Sequence, residues 1–420
     1  MGRRSCDAQG NGWNGEGMTR SKSTSTGAAT QAVQGGRSGD FARHVVNPPV
    51  WRASTHLYDN CAELRKGPQS NEDGRFFYGR RGAPTQWALA EALTDLEPGA
   101  AGTVLYPSGV AAIVGALLAV LKTGDVLLVT DNAYDPTRNT AMGILKRFGV
   151  DHRFFDPLDI ESYARAFCER TKAVMLEVPG SLTMEVCDIP ALAAIARRKG
   201  AVSLIDNTWA TSIGFPALQH GCDIAITALT KHVGGHSDLM MGAASAGEKW
   251  YGKLRLTSQQ LGHVVSPDDA ALALRGLRTM PLRLAAETRS ALAVAKWLER
   301  REEVAHVLCP MLPSAQGHSI WQRDFDGGCG LFSFTLKGRN DAARCRLIDA
   351  LELFGIGYSW GGFESLALPF DVEPVRSVMG WPRKDWDLED RHAVRLSIGL
   401  EDTDDLIADL DQAMAAMDRN

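Results

Sequence analysis

From about residue 100 onward, short apolar runs alternate with helical patterns, and this alternation limits the possible folds more than any other feature of the chain. Residues 103–106 read as a strand, 108–122 as a helix opening at a small-residue turn, and 125–130 as a second strand. The pattern continues with a strand over 172–178, a helix over 189–199, and strands over 201–205 and 224–229. Strands separated by helices cannot be joined by tight hairpins, so they must pair in parallel and bury both faces. The predicted class is α/β, with 240–246 able to return antiparallel.

A long helical region over 267–304 is expected to bury a stripe made of Leu272, Leu274, Leu277, Leu282, Leu284, Leu292, Val294 and Leu298, and to connect two domains. Beyond it, 330–336 and 393–398 alternate like strands, while 342–354 and 403–417 look amphipathic, so a smaller α+β unit follows. Residues 1–40 are different. They are rich in Gly, Ser, Thr and Arg with hardly any large apolar side chains, which predicts a disordered extension; Met18 is an alternative start. The chain divides on this reading into 1–40, an arm over 41–75, a large domain over 76–278 and a C-terminal domain over 279–420.

The 420 residues, 45% of them hydrophobic, suffice for two or three cored domains. A net charge of -5, with both signs interspersed, points to neither nucleic acid nor a membrane surface. The longest apolar run, 110–121, is too short for a bilayer and is broken by Gly115. No secretory apolar segment opens the sequence, and Cys6 stands where myristoylation wants Ser or Thr. The eight cysteines form no Cys-x-x-Cys pair and have no metal-ligand spacing, which suits reduced thiols in a cytoplasmic enzyme without a metal.

Lys231 follows the strand-like 222–229 directly, among hydroxyls and glycines in Thr230-Lys231-His232-Val233-Gly234-Gly235. Partial burial there would favour its neutral, nucleophilic form, as Schiff-base chemistry requires; a surface lysine in a polar turn is the plainer alternative. Ser108-Gly109-Val110 lies between a strand and a helix, so it is either an ordinary cap or an anion cradle. Tyr78 and Arg80 offer a phenol and a guanidinium for phosphate oxygens, or a solvated basic turn. Asp206 ends an apolar run, where α/β proteins bind ligands, and could hold a proton on a heterocyclic nitrogen or simply cap a helix. Arg395 alternates with apolar neighbours, as a carboxylate-binding guanidinium on a strand or a surface-face arginine would. Together these groups specify pyridoxal 5'-phosphate acting on an amino acid.

The sequence resembles the fold-type I enzymes of cysteine and methionine metabolism over about residues 41–417. The supporting strings include Tyr78-Gly79-Arg80-Arg81-Gly82, Pro107-Ser108-Gly109, Asp206-Asn207-Thr208-Trp209-Ala210, Tyr358-Ser359-Trp360-Gly361-Gly362 and Arg395-Leu396-Ser397-Ile398-Gly399. The resemblance implies a mainly parallel seven-stranded sheet in the large domain, with the arm making subunit contacts. Lys231 matches the catalytic lysine that binds the cofactor aldehyde, Asp206 the partner of the pyridine nitrogen, and Tyr134 the tyrosine that stacks on the ring and is expected to assist proton movement in catalysis. Ser108, Gly109, Val110 and Thr230 match the phosphate site. Tyr78 and Arg80 match phosphate ligands supplied by a neighbouring subunit, and Tyr78 also matches a substrate contact. Arg395 and Ser359, with Trp360 and Tyr358, match the substrate side. Two departures stand out: Ala228 where many relatives have Ser, and His232 where Tyr is common.

Within that family, Ser359-Trp360-Gly361-Gly362 and Pro179-Gly180-Ser181 are similar to the cystathionine β-lyase branch. Relatives acting at Cγ usually have Ser-Leu-Gly-Gly at the first string, and cystathionine γ-lyases have Glu where Tyr358 stands. The resemblance therefore implies β-elimination of the thioether L-cystathionine to homocysteine, pyruvate and ammonia, in a homotetramer built from dimers with shared active sites. The competing readings are a cysteine or cystine β-lyase and a methionine or cystathionine γ-lyase. A cofactor-binding regulator without activity is disfavoured because Lys231, Asp206 and Arg395 are all present.

Overall fold

The computed structural model describes residues 26–39, 42, 44–67, 74–373, 376–381 and 387–417. Its larger sheet contains β1 (Gly102–Tyr106), β2 (Val126–Thr130), β3 (Asp151–Phe155), β4 (Thr171–Glu177), β5 (Val202–Asp206), β6 (Ile224–Ala228) and β7 (Gly242–Ala246). The strand order is β1-β7-β6-β5-β4-β2-β3, and β7 runs antiparallel to both of its neighbours. Helices cover both faces, which is why β2 is buried at every position and reads as an unbroken apolar run. The mainly parallel, seven-stranded α/β architecture expected from the alternation is present.

A second sheet, ordered β10-β11-β12-β9-β8, holds β8 (Val304–Leu308), β9 (Leu331–Leu336), β10 (Gly355–Ile356), β11 (Leu366–Phe370) and β12 (Ala393–Ser397). One continuous helix, Pro267–Leu298, packs against both sheets' cores through Leu274 and Leu277 at one end and Val294 and Leu298 at the other. The domain boundary expected at 278/279 falls inside it. Its stripe also needs correction: Leu282 is 74% exposed and Leu272 36% exposed, whereas Arg283 and Glu287 are buried. The helix turns its polar Arg283 toward the loop after β6, where it donates to the His232 carbonyl (2.7 Å) and also to Gly276 O of its own helix (2.8 Å).

The expectation of disorder over 1–40 is overturned in part. Ala28–Gln34 form a helix with Ala32 fully buried, and Arg278 Nη1 donates to the carbonyls of Ala32 and Gly35, each at 2.8 Å. This segment has too few large apolar residues to fold alone; tertiary contacts to Pro84–Leu96 and Pro267–Leu298 supply what its own sequence lacks. Residues 1–25, including Met18, lie outside the described residues.

The connection from β11 to β12 is fastened to the large sheet by one carboxylate. Asp131, fully buried after β2, accepts from Arg138 Nη1 at 2.7 Å and from the backbone N–H groups of Ser377, Val378 and Met379. Asp131→Asn keeps the shape and removes the charge from these bonds, so it should lower the unfolding free energy by about 2 kcal/mol. Urea denaturation of the two proteins checks this.

Candidate active site

The parallel strands all end at one edge of the large sheet, and there the sequence places its chemistry. Asp206 is the last residue of β5 and Glu177 the last of β4, and the two are direct partners in register. Lys231 stands three residues beyond β6, Tyr134 four residues beyond β2, and Ser108 two beyond β1. Ligands of open α/β sheets bind at such an edge.

Lys231 is held by a tight turn. Gly234 N–H donates to Leu229 O and Gly235 N–H to Lys231 O. Gly235 has φ +67°, and a Cβ there would lie 2.0 Å from Arg283 Nη1, so only glycine lets the turn close over the helix. Lys231 Nζ donates to Ser359 Oγ at 2.6 Å and lies 5.4 Å from the centroid of the Trp360 ring. Ser359, in the loop before β11, has φ +82°, a conformation a non-glycine residue adopts at a cost and one that clusters at functional sites. Arg395 Nη2 donates to the Ser359 carbonyl at 2.8 Å. The amine and the guanidinium thus meet through one residue.

Burial sets the electrostatics. It lowers the Lys231 ammonium to about 8, helped by Arg395 and opposed by Asp206. Burial likewise lowers Arg395 to about 10, with Tyr134 and Tyr358 opposing. Arg395 is only 9% exposed, and its Nε has no hydrogen-bond partner among the described residues. A buried cation with an idle donor is suited to a carboxylate. The Asp206 carboxyl is raised by burial, while Thr208 and Lys231 pull it down. Thr208 donates to its Oδ1 through N–H (3.0 Å) and Oγ1 (2.5 Å), leaving Oδ2 outside these bonds. Tyr134 is 43% exposed; its phenol is raised by burial and then by Asp206 and Glu177.

The helix Gly109–Val120 opens toward the same edge. Ser108 Oγ accepts from Ala111 N–H at 3.0 Å, so that hydroxyl caps the helix, while Gly109 and Val110 present N–H groups that have no acceptor within it. A Cβ on Gly242 would lie 2.3 Å from Ser108 O, so the small residues of β7 let this turn approach the sheet. Thr230 Oγ1 donates to Met241 O (3.1 Å) and accepts from Met241 N–H (3.0 Å), fixing the turn between β6 and β7. Ala228 faces Gly109, and no hydroxyl stands there.

The structure brings together Lys231, Asp206, Tyr134, Arg395, Ser359 and Trp360. Tyr358 stands at the rim, 86% exposed. Tyr78 and Arg80 are not drawn into the cluster by this chain: Arg80 Nη1 donates to Gln259 O at 2.7 Å, in a groove with Arg255 and His263. Sequence reasoning passed over Thr208, Glu177 and Arg376. Thr208 could have been found, since Asp-Asn-Thr at a strand end is the pattern of an Asx turn. Arg376, in the connection after β11, donates to Ser181 O and Thr183 Oγ1 and has no signal in its own surroundings.

These donors fit pyridoxal 5'-phosphate. A partly desolvated amine suits its aldehyde, Asp206 Oδ2 its pyridine nitrogen, and the N–H groups of Gly109 and Val110 its phosphate. The fold and this set of residues define a pyridoxal-phosphate-dependent enzyme. The chain belongs to the family of Cys/Met metabolism PLP-dependent enzymes, whose model matches residues 29–415. It is 45% identical to a putative cystathionine beta-lyase of Rhizobium johnstonii, over 88% of this chain and 91% of that one. It is 41% identical to the cystathionine beta-lyase MetC of Escherichia coli K12, over 92% and 98%. The solved structure of metB from Corynebacterium glutamicum superposes with a TM-score of 0.83 at 27% identity, over 93% and 98%. No helix among the described residues is long and apolar enough to cross a membrane.

Because the attacking amine must be neutral, cofactor capture by the apo-protein should accelerate about tenfold per pH unit below the Lys231 value of about 8 and level off above it. Stopped-flow absorbance with pyridoxal 5'-phosphate measures this. A rate still climbing past pH 10 would indicate an ordinary lysine.

Proposed function

We infer that this chain is a carbon–sulfur lyase that performs β-elimination on L-cystathionine, releasing homocysteine, pyruvate and ammonia. The observation that carries the reading is the link from Lys231 through Ser359 to Arg395, which sets a base and a carboxylate receptor side by side at one site. An α-amino acid placed with its carboxylate on Arg395 has its Cα beside the Lys231 amine. The choice of cystathionine and of β-elimination rests on the names of the relatives and on Tyr358-Ser359-Trp360.

In this mechanism Arg395 and Ser359 orient the substrate carboxylate, and Lys231 takes the Cα proton. When bound, the cofactor would supply the electron sink that stabilises the carbanion left at Cα, with Asp206 keeping the pyridine nitrogen protonated. The Cβ–S bond breaks with its electron pair going to sulfur, and the thiolate takes up a proton to leave as homocysteine. The three-carbon enamine, once released, hydrolyses to pyruvate and ammonia. Trp360 covers Lys231 and keeps water from the base, while Tyr134 lies against Asp206 at the ring position. Tyr78 and Arg80 would complete the phosphate site of a second copy, so the working form is a dimer or a homotetramer built from two dimers, in the cytoplasm.

Incubating the enzyme separately with cystathionine, cystine and methionine and identifying the keto acids tests the reading. Cystathionine should be the best substrate and pyruvate its keto acid. Faster turnover of cystine would reassign the chain to the cystine β-lyases.

A further inference from the structure

We propose that Glu177 is a positioning residue for the cofactor: its carboxyl clamps the main chain of Tyr134 and so fixes the tyrosine ring beside Asp206. This rests on the reading of the edge as a pyridoxal-phosphate site. Glu177 closes β4 directly opposite Asp206 on β5, and in-register neighbours of parallel strands direct their side chains to the same face. Glu177 Oε2 accepts from Tyr134 N–H at 2.6 Å. That bond ties the turn after β2 to the end of β4. Tyr134 begins the helix Asp135–Thr140 without a side-chain cap, and its carbonyl accepts from Thr137 and Arg138. Its ring direction therefore follows its backbone, and its backbone follows Glu177.

A carboxyl is a costly group to place here. Burial and then the charge of Asp206 push Glu177 well above the usual carboxylate range, opposed by the Tyr134 N–H and by Arg376. Burial and the neighbouring Asp206 thus favour the neutral form of Glu177 over a second charge at this edge. An apolar side chain would fill the same space without the desolvation cost but could not accept the Tyr134 N–H. In its neutral form the carboxyl provides an acceptor without a second charge beside Asp206. Glutamine, also neutral and with an acceptor of the same reach, should replace it; leucine should not.

The test is a titration of apo-protein with pyridoxal 5'-phosphate, followed by absorbance, with urea unfolding of each apo-variant alongside. Glu177→Leu should unfold no earlier than wild type yet bind the cofactor at least about tenfold more weakly, while Glu177→Gln stays within about threefold. In a Tyr134→Ala background, Glu177→Leu should cost no further affinity, because the residue it positions is gone. Wild-type affinity in Glu177→Leu, equal weakening in Glu177→Gln, or additive losses in the double variant would each overturn the proposal. A wild-type protein that failed to bind the cofactor at all would instead refute the functional reading beneath it.

Discussion

Lys231→Ala should reduce turnover of cystathionine at least ~10⁴-fold, since one side chain both captures the cofactor and moves the Cα proton. The fold should survive. Among the described residues Lys231 Nζ makes one hydrogen bond, to Ser359, and removing a buried ammonium that burial has already lowered to about 8 takes away an unfavourable charge. The apo-variant should therefore match or exceed the wild-type unfolding midpoint while showing no visible absorbance band of lysine-bound cofactor. Added alkylamines should restore part of the rate if proton transfer is what was lost. Steady-state kinetics and an absorbance spectrum of the same preparation check both statements.

Arg395→Leu should act on binding more than on chemistry. Arg395 sits on β12, opposite Leu368 of β11 and Ser333 of β9, so its stem is fixed by the small sheet while its head reaches Ser359. Losing a buried, charge-assisted contact to the substrate carboxylate should raise KM by about 10²-fold or more, or roughly 3 kcal/mol. Arg395→Lys should recover little of this, because an ammonium cannot reproduce the two-pronged grip of a guanidinium. An unchanged KM in Arg395→Leu would place the carboxylate elsewhere.

Much of the site was legible because Lys231, Asp206 and Ser108 stand at or just beyond the ends of strands that read as apolar runs. Ile224–Ala228 announces Lys231, and Val202–Asp206 announces its own last residue. Ser108 was legible for the same reason, as the residue between a strand and a helix. Glu177 was not, although it too ends a strand. Its meaning comes from register with Asp206, and register is fixed by the packing of neighbouring strands rather than by β4 alone. Ser377 and Asp131 are 246 positions apart and meet only because the β11–β12 connection folds back over β2. Leu282 misled for a different reason: the helical period fits, but the face that closes on the β6 turn belongs to Arg283 and Gly276. The helix Ala28–Gln34 was hidden by composition, since its stability lies in its neighbours.

His232 illustrates how a departure from the family pattern is absorbed. It is buried against Glu287, with His232 Nδ1 3.4 Å from Glu287 Oε2, and its ring meets Trp360 edge-on at 5.3 Å. The residue next to the lysine thus packs behind the indole that covers it. Neither His232 nor Glu287 enters the chemistry described above.

The keto acid formed from L-cystathionine is the most direct measurement of the central claim. Abstraction at Cα by Lys231 followed by loss of the β-sulfur yields pyruvate and homocysteine in equal amounts, and Lys231→Ala should yield neither. 2-Oxobutyrate with cysteine, in place of pyruvate with homocysteine, would contradict the account and assign the site to γ-elimination.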